Sequence, residues 1–269
     1  MEDWINSGVD GVVLKTCTYK PRKGYKSPNV SIYGDSVVQA MGLPNPGYKK
    51  TAERAKKIKK KYPGTFVIAS FTTGSEKEIK EIVGELSLCS DALEYNVSCP
   101  HAKGLGSSIG YDMEFLEKMV HLAKKSTEKP LGLKMPYFST ENMLNGFIKS
   151  SKKADFYTCL NSIGKAMMIG ENFGISNKIG GLSGPSIRPL SVCQTYRIRT
   201  KTDKFVFGCG GITRREDVAE YVKAGANAVQ LGSGVLRYRK KKDFVEEIRK
   251  GFTHRLKDYF RKEGKEVYE

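Results

Sequence analysis

Asp91-Ala-Leu-Glu-Tyr-Asn-Val-Ser-Cys-Pro-His101 reads as a buried strand that ends abruptly in reactive chemistry. Apolar residues run through Ala92, Leu93, Tyr95 and Val97. Asn96, Ser98, Cys99 and His101 then crowd around Pro100, which breaks helices. Next comes Lys103-Gly-Leu-Gly-Ser-Ser-Ile-Gly110, a glycine-rich loop with the conformational freedom to move. A thiol at the C-terminal end of a strand, under a mobile loop, is where an α/β barrel keeps its catalytic groups. Cys99 is therefore the candidate acid/base.

Outward from this run, the same punctuation repeats. Short apolar stretches at 11–16, 65–71, 92–98, 131–135, 156–160, 205–208 and 228–231 are each bounded by Gly, Pro or polar residues. Amphipathic helical runs lie between most of them, at 53–61, 76–88, 113–125, 140–152, 190–201 and 214–224. A short helix at 2–7 opens the chain and a long basic one at 242–261 closes it. Near-continuous apolar strands alternating with helices mean a parallel sheet covered by helices. The expected fold is α/β, a TIM (β/α)8 barrel with seven of its eight strands evident, forming one domain over 1–269. Two excursions, 17–48 and 164–189, break the rhythm and read as long functional loops.

Composition excludes several classes. No apolar run approaches a membrane span, and Met1-Glu-Asp-Trp-Ile-Asn6 lacks the regions of a signal peptide, so a cytoplasmic protein is expected. The six cysteines include no CxxC pair and there are three histidines, so neither a metal site nor a disulfide framework is expected. The net charge of +17 concentrates in runs such as Lys59-Lys-Lys61, on helices. Aromatic interleaving is sparse, which favours a solvated helical face over a nucleic-acid surface.

Nearly every strand ends in something chemically useful. Asn45, Asn96 and Asn161 each offer a donor and an acceptor from one side chain, and three converging amides would hold a planar imide such as a pyrimidine. Lys134, near the tip of 131–135, would bring positive charge to an electron-rich ring. Gly208-Cys-Gly-Gly211 and Gly232-Ser-Gly234 follow the last two strands, the common phosphate-binding place of this fold, and Gly180-Gly-Leu-Ser-Gly184 precedes a helix.

Ala40-Met-Gly-Leu-Pro-Asn45, Glu94-Tyr-Asn-Val-Ser-Cys-Pro-His101, Gly132-Leu-Lys-Met-Pro136, Asn161-Ser-Ile-Gly164, Gly180-Gly-Leu-Ser-Gly184, Gly208-Cys-Gly-Gly-Ile212 and Gln230-Leu-Gly-Ser233 together resemble the ordered motif set of class 1 dihydroorotate dehydrogenases. The set is shared with the pyrimidine-reducing domain of dihydropyrimidine dehydrogenase. The resemblance implies an FMN-dependent oxidoreductase of pyrimidine biosynthesis that converts dihydroorotate to orotate. It implies that Lys15, Asn96, Lys134, Gly180, Gly181, Gly184, Gly210, Gly211, Gly232 and Ser233 hold FMN. Lys15, Asn45, Asn96, Asn161 and Ser162 hold the substrate, and Cys99 takes the C5 proton while a hydride leaves C6. It further implies a homodimer, and an electron acceptor that is either soluble or a separate electron-transfer subunit.

The chain departs from the family pattern in two places. The family's first strand, before the 2–7 helix, is absent, so the chain is expected to present an open sheet edge and to bind FMN poorly by itself. Ser-Cys-Pro-His is the dihydropyrimidine dehydrogenase form, where dihydroorotate dehydrogenases carry Ser-Cys-Pro-Asn; a dihydropyrimidine (uracil or thymine) dehydrogenase-like subunit is thus the alternative. A tRNA dihydrouridine synthase would carry Asn-x-Gly-Cys-Pro rather than Asn-Val-Ser-Cys-Pro. A non-catalytic, degenerate barrel scaffold is the reading from another class, against which the intact motifs argue.

Overall fold

The computed structural model describes residues 1–98, 109–169, 174–237 and 240–262. In chain order the strands are β1 (Gly11–Val13), β2 (Val30–Tyr33), β3 (Ser36–Gln39), β4 (Phe66–Phe71), β5 (Ala92–Asn96), β6 (Leu131–Lys134), β7 (Phe156–Cys159), β8 (Ile163–Met167), β9 (Ile179–Ser183), β10 (Phe205–Cys209) and β11 (Ala228–Gln230). The helices are α1 (Glu2–Asn6), α2 (Tyr48–Lys61), α3 (Glu76–Ser87), α4 (Met113–Lys125), α5 (Glu141–Ser150), α6 (Arg188–Arg199), α7 (Arg215–Lys223) and α8 (Lys241–Lys262).

All seven apolar runs form strands of one parallel sheet, ordered β1-β4-β5-β6-β7-β10-β11, with a helix between each sequential pair. The strand period of two divides their side chains. Leu93, Tyr95, Leu131, Leu133 and Tyr157 face outward and share one core with Ile79, Ile82, Leu116 and Met119 of the helices. Ile68, Ala92 and Phe156 face the other way and pack with Val13 and Phe207 as an apolar floor to the curved sheet's interior. Gly132 serves that floor: a Cβ there would lie 2.0 Å from the Phe156 ring, so only glycine lets the ring fill the space.

The N-terminal ends of the strands are stitched by side chains that immediately precede them. Asp91 accepts from the Val67 N–H at 2.8 Å and holds Lys59 at 2.9 Å. Asp155 does the same with the Leu131 N–H at 2.8 Å and Lys124 at 2.7 Å. Asn227 accepts from the Val206 N–H at 2.9 Å and from Arg199. Ser75, Asp112 and Thr140 cap α3, α4 and α5 by accepting the third helical N–H.

The two excursions are not irregular loops. Together they form a second, antiparallel sheet of order β2-β3-β9-β8, joining segments more than a hundred residues apart. A two-residue turn, Gly34-Asp35, with Gly34 at φ +51, links β2 to β3. Helix α2 also starts earlier than residue 53: Gly47, at φ +85, turns the chain into it at Tyr48.

β1 and β11 end the parallel sheet, as seven strands require. Helices α1 and α8 meet across that end. Trp4 packs edge-on to Phe244 at 6.1 Å, and Lys241 pairs with Asp3 at 2.9 Å. Among the described residues no helix is long and apolar enough to cross a membrane.

Candidate active site

The C-terminal ends of β1, β4, β5 and β7 converge on one hydrogen-bonded cluster. Asn96, the last residue of β5 and buried, donates from Nδ2 to Thr16 Oγ1 at 3.2 Å, and Thr16 shares a 2.9 Å bond with Ser70. Asn96 Oδ1 accepts from the Ser98 hydroxyl at 2.9 Å and from Asn161 Nδ2 at 3.4 Å. Asn161 Nδ2 donates to Ser98 Oγ at 2.8 Å, while its Oδ1 receives the Ser162 N–H at 2.8 Å. Two of the three amides predicted from the sequence therefore meet, together with Ser162.

The third does not join them. Asn45 is buried, and its side chain is committed to its own loop. Its Oδ1 accepts from the Thr18 N–H at 3.1 Å and the Gly47 N–H at 2.9 Å, and its Nδ2 donates to the Leu43 carbonyl at 2.9 Å. The residue of that segment that does reach the mouth is Gln39, at the end of β3. It pairs with Gly181 of β9, where a Cβ would lie 2.5 Å from Ser162 Oγ and 3.7 Å from Gln39 Nε2. Lys15 lies exposed just past β1.

Lys134 ends β6 beside Asn96, its register partner. Burial lowers its proton affinity, but Cys209 and Glu94 outweigh that and hold its pKa above the ordinary lysine value. Below it the sheet interior carries polar residues that the sequence reading missed. Glu94, 1% exposed, accepts from Thr158 Oγ1 at 2.9 Å and Gln230 Nε2 at 2.9 Å. A charged residue at an inward position of a strand whose five residues are all buried was the available signal.

The glycine loops meet one another. A Cβ on Gly211 (φ +68) would lie 2.6 Å from the Gly184 carbonyl oxygen, and one on Gly234 would lie 2.1 Å from the Ile212 carbonyl oxygen. The turns after β9, β10 and β11 thus touch through backbone. Gly184 (φ +101) and Gly210 (φ +139) adopt conformations that side chains disfavour. At Gly232 a Cβ would meet nothing within 4 Å, and Ser233 follows, so that backbone is open to approach. Asp217 braces the turn after β10, accepting from the Thr213 N–H at 2.7 Å and pairing with Arg188 at 2.8 Å.

Cys99 and His101 lie outside the described residues. Of the other thiols, Cys17 is pushed up to about 12 by burial, and burial likewise raises Cys159 and Cys209, so these three remain protonated and unreactive. Among the described residues, no group of three His, Cys, Asp or Glu side chains could hold a metal ion.

Comparison with known proteins decides the family. The dihydroorotate dehydrogenase family model matches residues 1–256. The chain belongs to the dihydroorotate dehydrogenase family. A relative from Pyrococcus furiosus, named dihydroorotate dehydrogenase B (NAD(+)), catalytic subunit, is 36% identical over 260 residues, covering 96% of this chain and 83% of its own. Proteins of the same name from Thermoplasma acidophilum and Thermococcus kodakarensis are 36% and 35% identical, covering 87% and 98% of this chain and 78% and 86% of their own. A crystal structure of DHODH in complex with ferulenol from Eimeria tenella shares the fold, with a TM-score of 0.82 at 17% identity over 96% of this chain and 78% of that one. In this chain, the amide cluster, Lys134 and the three glycine turns all lie on the C-terminal side of the parallel sheet, where barrel enzymes bind and react.

The donor set fits a phosphorylated flavin. Neutral amides and one cation suit an electron-rich planar ring, and glycine turns that exclude side chains let backbone N–H groups approach a phosphate. Thr72, directly after β4, adds an orphan: its hydroxyl is fully buried and has no partner among the described residues.

Proposed function

We propose that this chain oxidises dihydroorotate to orotate with FMN as its cofactor. The observation that carries the reading is the Asn96–Ser98–Asn161 cluster at the mouth, whose Asn96 and Ser98 stand three residues and one residue before Cys99 in the chain. Lys15, Lys134, Gly181, Gly184, Gly210, Gly211, Gly232 and Ser233 would hold the cofactor. Asn96, Asn161 and Ser162 would hold the pyrimidine, with Gln39 beside Ser162, while Asn45 shapes the loop that brings Gln39 there. Bound FMN would supply the two-electron acceptor for the hydride on C6.

The chain's own residues do the rest. The C5 proton is acidified by the neighbouring carbonyl, and its removal builds negative charge on that oxygen. Preorganised amide donors stabilise such charge, and the 3.4 Å bond to Asn96 is the weaker of the two that Asn161 Nδ2 donates, so that N–H can be given to a substrate oxygen instead. Cys99 takes the proton, a role suited to a thiol with an unperturbed pKa of about 8.5. A separate electron-transfer subunit removes the electrons; the naming of the archaeal relatives as catalytic subunits of an NAD(+) enzyme supports this. A homodimer in the cytoplasm completes the reading.

The test is anaerobic bleaching of the purified flavoprotein by dihydroorotate, dihydrouracil and dihydrothymine. Bleaching by dihydroorotate alone is expected. Cys99→Ala should retain the flavin spectrum and be reduced about 10²–10⁴-fold more slowly. Bleaching by dihydrouracil but not dihydroorotate, or near-normal reduction of the variant, would overturn the assignment.

A further inference from the structure

The amide cluster and the glycine turns lie at the C-terminal ends of the parallel strands. A second concavity opens near their N-terminal ends, between α5 and α6. It is a cleft of about 400 Å³, within the size range of small-molecule sites, with Ile148 and Tyr157 as its apolar surface. One wall carries Asn145, Lys149 and Lys152, from α5 and the turn after it. The other carries Lys201, Thr202 and Lys204, from the turn between α6 and β10. Four ammonium groups thus line one cleft, and among the described residues no aspartate or glutamate lines it.

Lysines near helix C-termini often meet the last carbonyls and the negative end of the macrodipole. Lys204 does this. It donates to the Lys152 and Ala154 carbonyls, both at 2.6 Å, with its ammonium 5.8 Å from the Tyr157 ring centroid. Lys201 pairs with Glu141 at 2.9 Å, a carboxylate it shares with Arg197. Lys149 and Lys152 do neither: among the described residues their ammonium groups have no hydrogen-bond or ion-pair partner. Each helix end supplies roughly half a negative charge, and Glu141 supplies one charge to two cations. The cleft therefore keeps a surplus of positive charge, which a concave surface focuses on its interior. Burial lowers the Lys204 pKa, with Asp155 opposing it, and a bound anion would act in the same sense as Asp155.

We propose that this cleft binds an anion with two or more linked phosphates, an inorganic polyphosphate or the tail of a nucleotide, at a site separate from the one that carries the chemistry. Two lysines on each wall suit a chain of charges rather than a single ion, and lysine meets phosphate as a point charge without demanding one geometry. The Thr202 hydroxyl accepts the Lys204 N–H at 3.2 Å, which leaves its own proton to give. Asn145 adds a neutral amide, and Ile148 an apolar surface against which a base can lie.

The test is calorimetric titration of the full chain with tripolyphosphate, ATP and orthophosphate at constant ionic strength. Tripolyphosphate and ATP should bind, and orthophosphate at least about tenfold more weakly, because it reaches fewer charged donors. ATP binding more tightly than tripolyphosphate would identify a nucleotide as the ligand; tripolyphosphate binding as tightly or more so would identify an inorganic chain. The double variant K149Q/K152Q should weaken tripolyphosphate at least about tenfold. It should leave thermal unfolding without ligand at the wild-type value, since both side chains are exposed and unpaired. K49Q/K50Q removes the same charge from exposed lysines of α2 and should bind as wild type does. Equal weakening in the two double variants would reduce the effect to net charge. Unchanged binding in K149Q/K152Q would put the anion elsewhere, the intact glycine turns included. Either result would overturn the proposal, as would orthophosphate binding as tightly as tripolyphosphate, or a wild-type chain that binds none of the three.

Discussion

At the N-terminal ends of the parallel strands, Asp91 and Asp155 each hold a neighbouring strand's N–H and a lysine, and Asn227 does so with Arg199. At the C-terminal ends, Asn96, Asn161, Ser98 and Thr16 hold one another through neutral amides and hydroxyls. Charged caps commit their groups to fixed partners and stabilise strand ends. Neutral groups that bond one another can exchange those bonds for a ligand's at little cost, because a hydrogen bond given up is replaced by another of similar strength. The lower end of the sheet is thus built to stay, and the upper end to rearrange.

Asn96→Ala should break this contrast most sharply. It should slow flavin reduction by dihydroorotate about 10²–10³-fold, the usual cost of one preorganised donor at a developing oxyanion. Thermal unfolding should show a loss of only about 1–2 kcal/mol, for hydrogen bonds that the cluster partly remakes. Equal losses in rate and stability at this position would mean that the mouth is a structural cap like the N-terminal ends of the strands. Gly132→Ala is the counterpart below. The added methyl must displace the Phe156 ring, and a stability loss of about 1–3 kcal/mol, read by urea unfolding, is expected.

The parallel sheet was legible because its strands are buried on both faces and read as apolar runs between turn residues. The antiparallel sheet was not. β8 (Ile163-Gly-Lys-Ala-Met167) is mostly exposed and shows no clean alternation, and β3 finds β9 only across the folded molecule. The Gly34-Asp35 hairpin turn was a local signal that went unused. Within the candidate site, Asn96 and Asn161 were visible as polar residues at strand ends, and they do meet. The commitment of Asn45 to its own loop depends on Thr18, which lies 27 residues earlier, and no local pattern reports such a contact. Glu94 was hidden for the opposite reason: it sits inside a motif whose later residues carry the obvious chemistry.

The charged end can be sharpened by pH. Hydrogen bonds from Lys59 and the Val67 N–H lower the Asp91 pKa despite the opposing effect of burial. A lowered folded pKa gives stability that is present above the unfolded value of about 3.9 and is lost as pH falls through the folded value. Asp91→Ala should therefore cost about 1–2 kcal/mol at pH 7, shrinking in acid, with flavin reduction unchanged. A rate defect in this variant would show that the two ends are coupled.

The smallest effect is expected at the lysine runs of α2, which belong to neither end. Lys56 pairs with Glu85 at 3.0 Å, and Lys61 with Glu2 at 2.6 Å, on side chains more than half exposed on the lysine side. Exposed pairs gain little, because water screens the attraction and two long side chains lose freedom to make it. Both lie on the outer helical layer, where their charge is already met by a carboxylate. Lys56→Gln should accordingly leave thermal unfolding, flavin content and reduction by dihydroorotate at wild-type values. A selective loss of reduction by a protein redox partner, with reduction by dihydroorotate intact, would instead assign this basic face to docking, and would move part of the molecule's +17 charge from solvation to function.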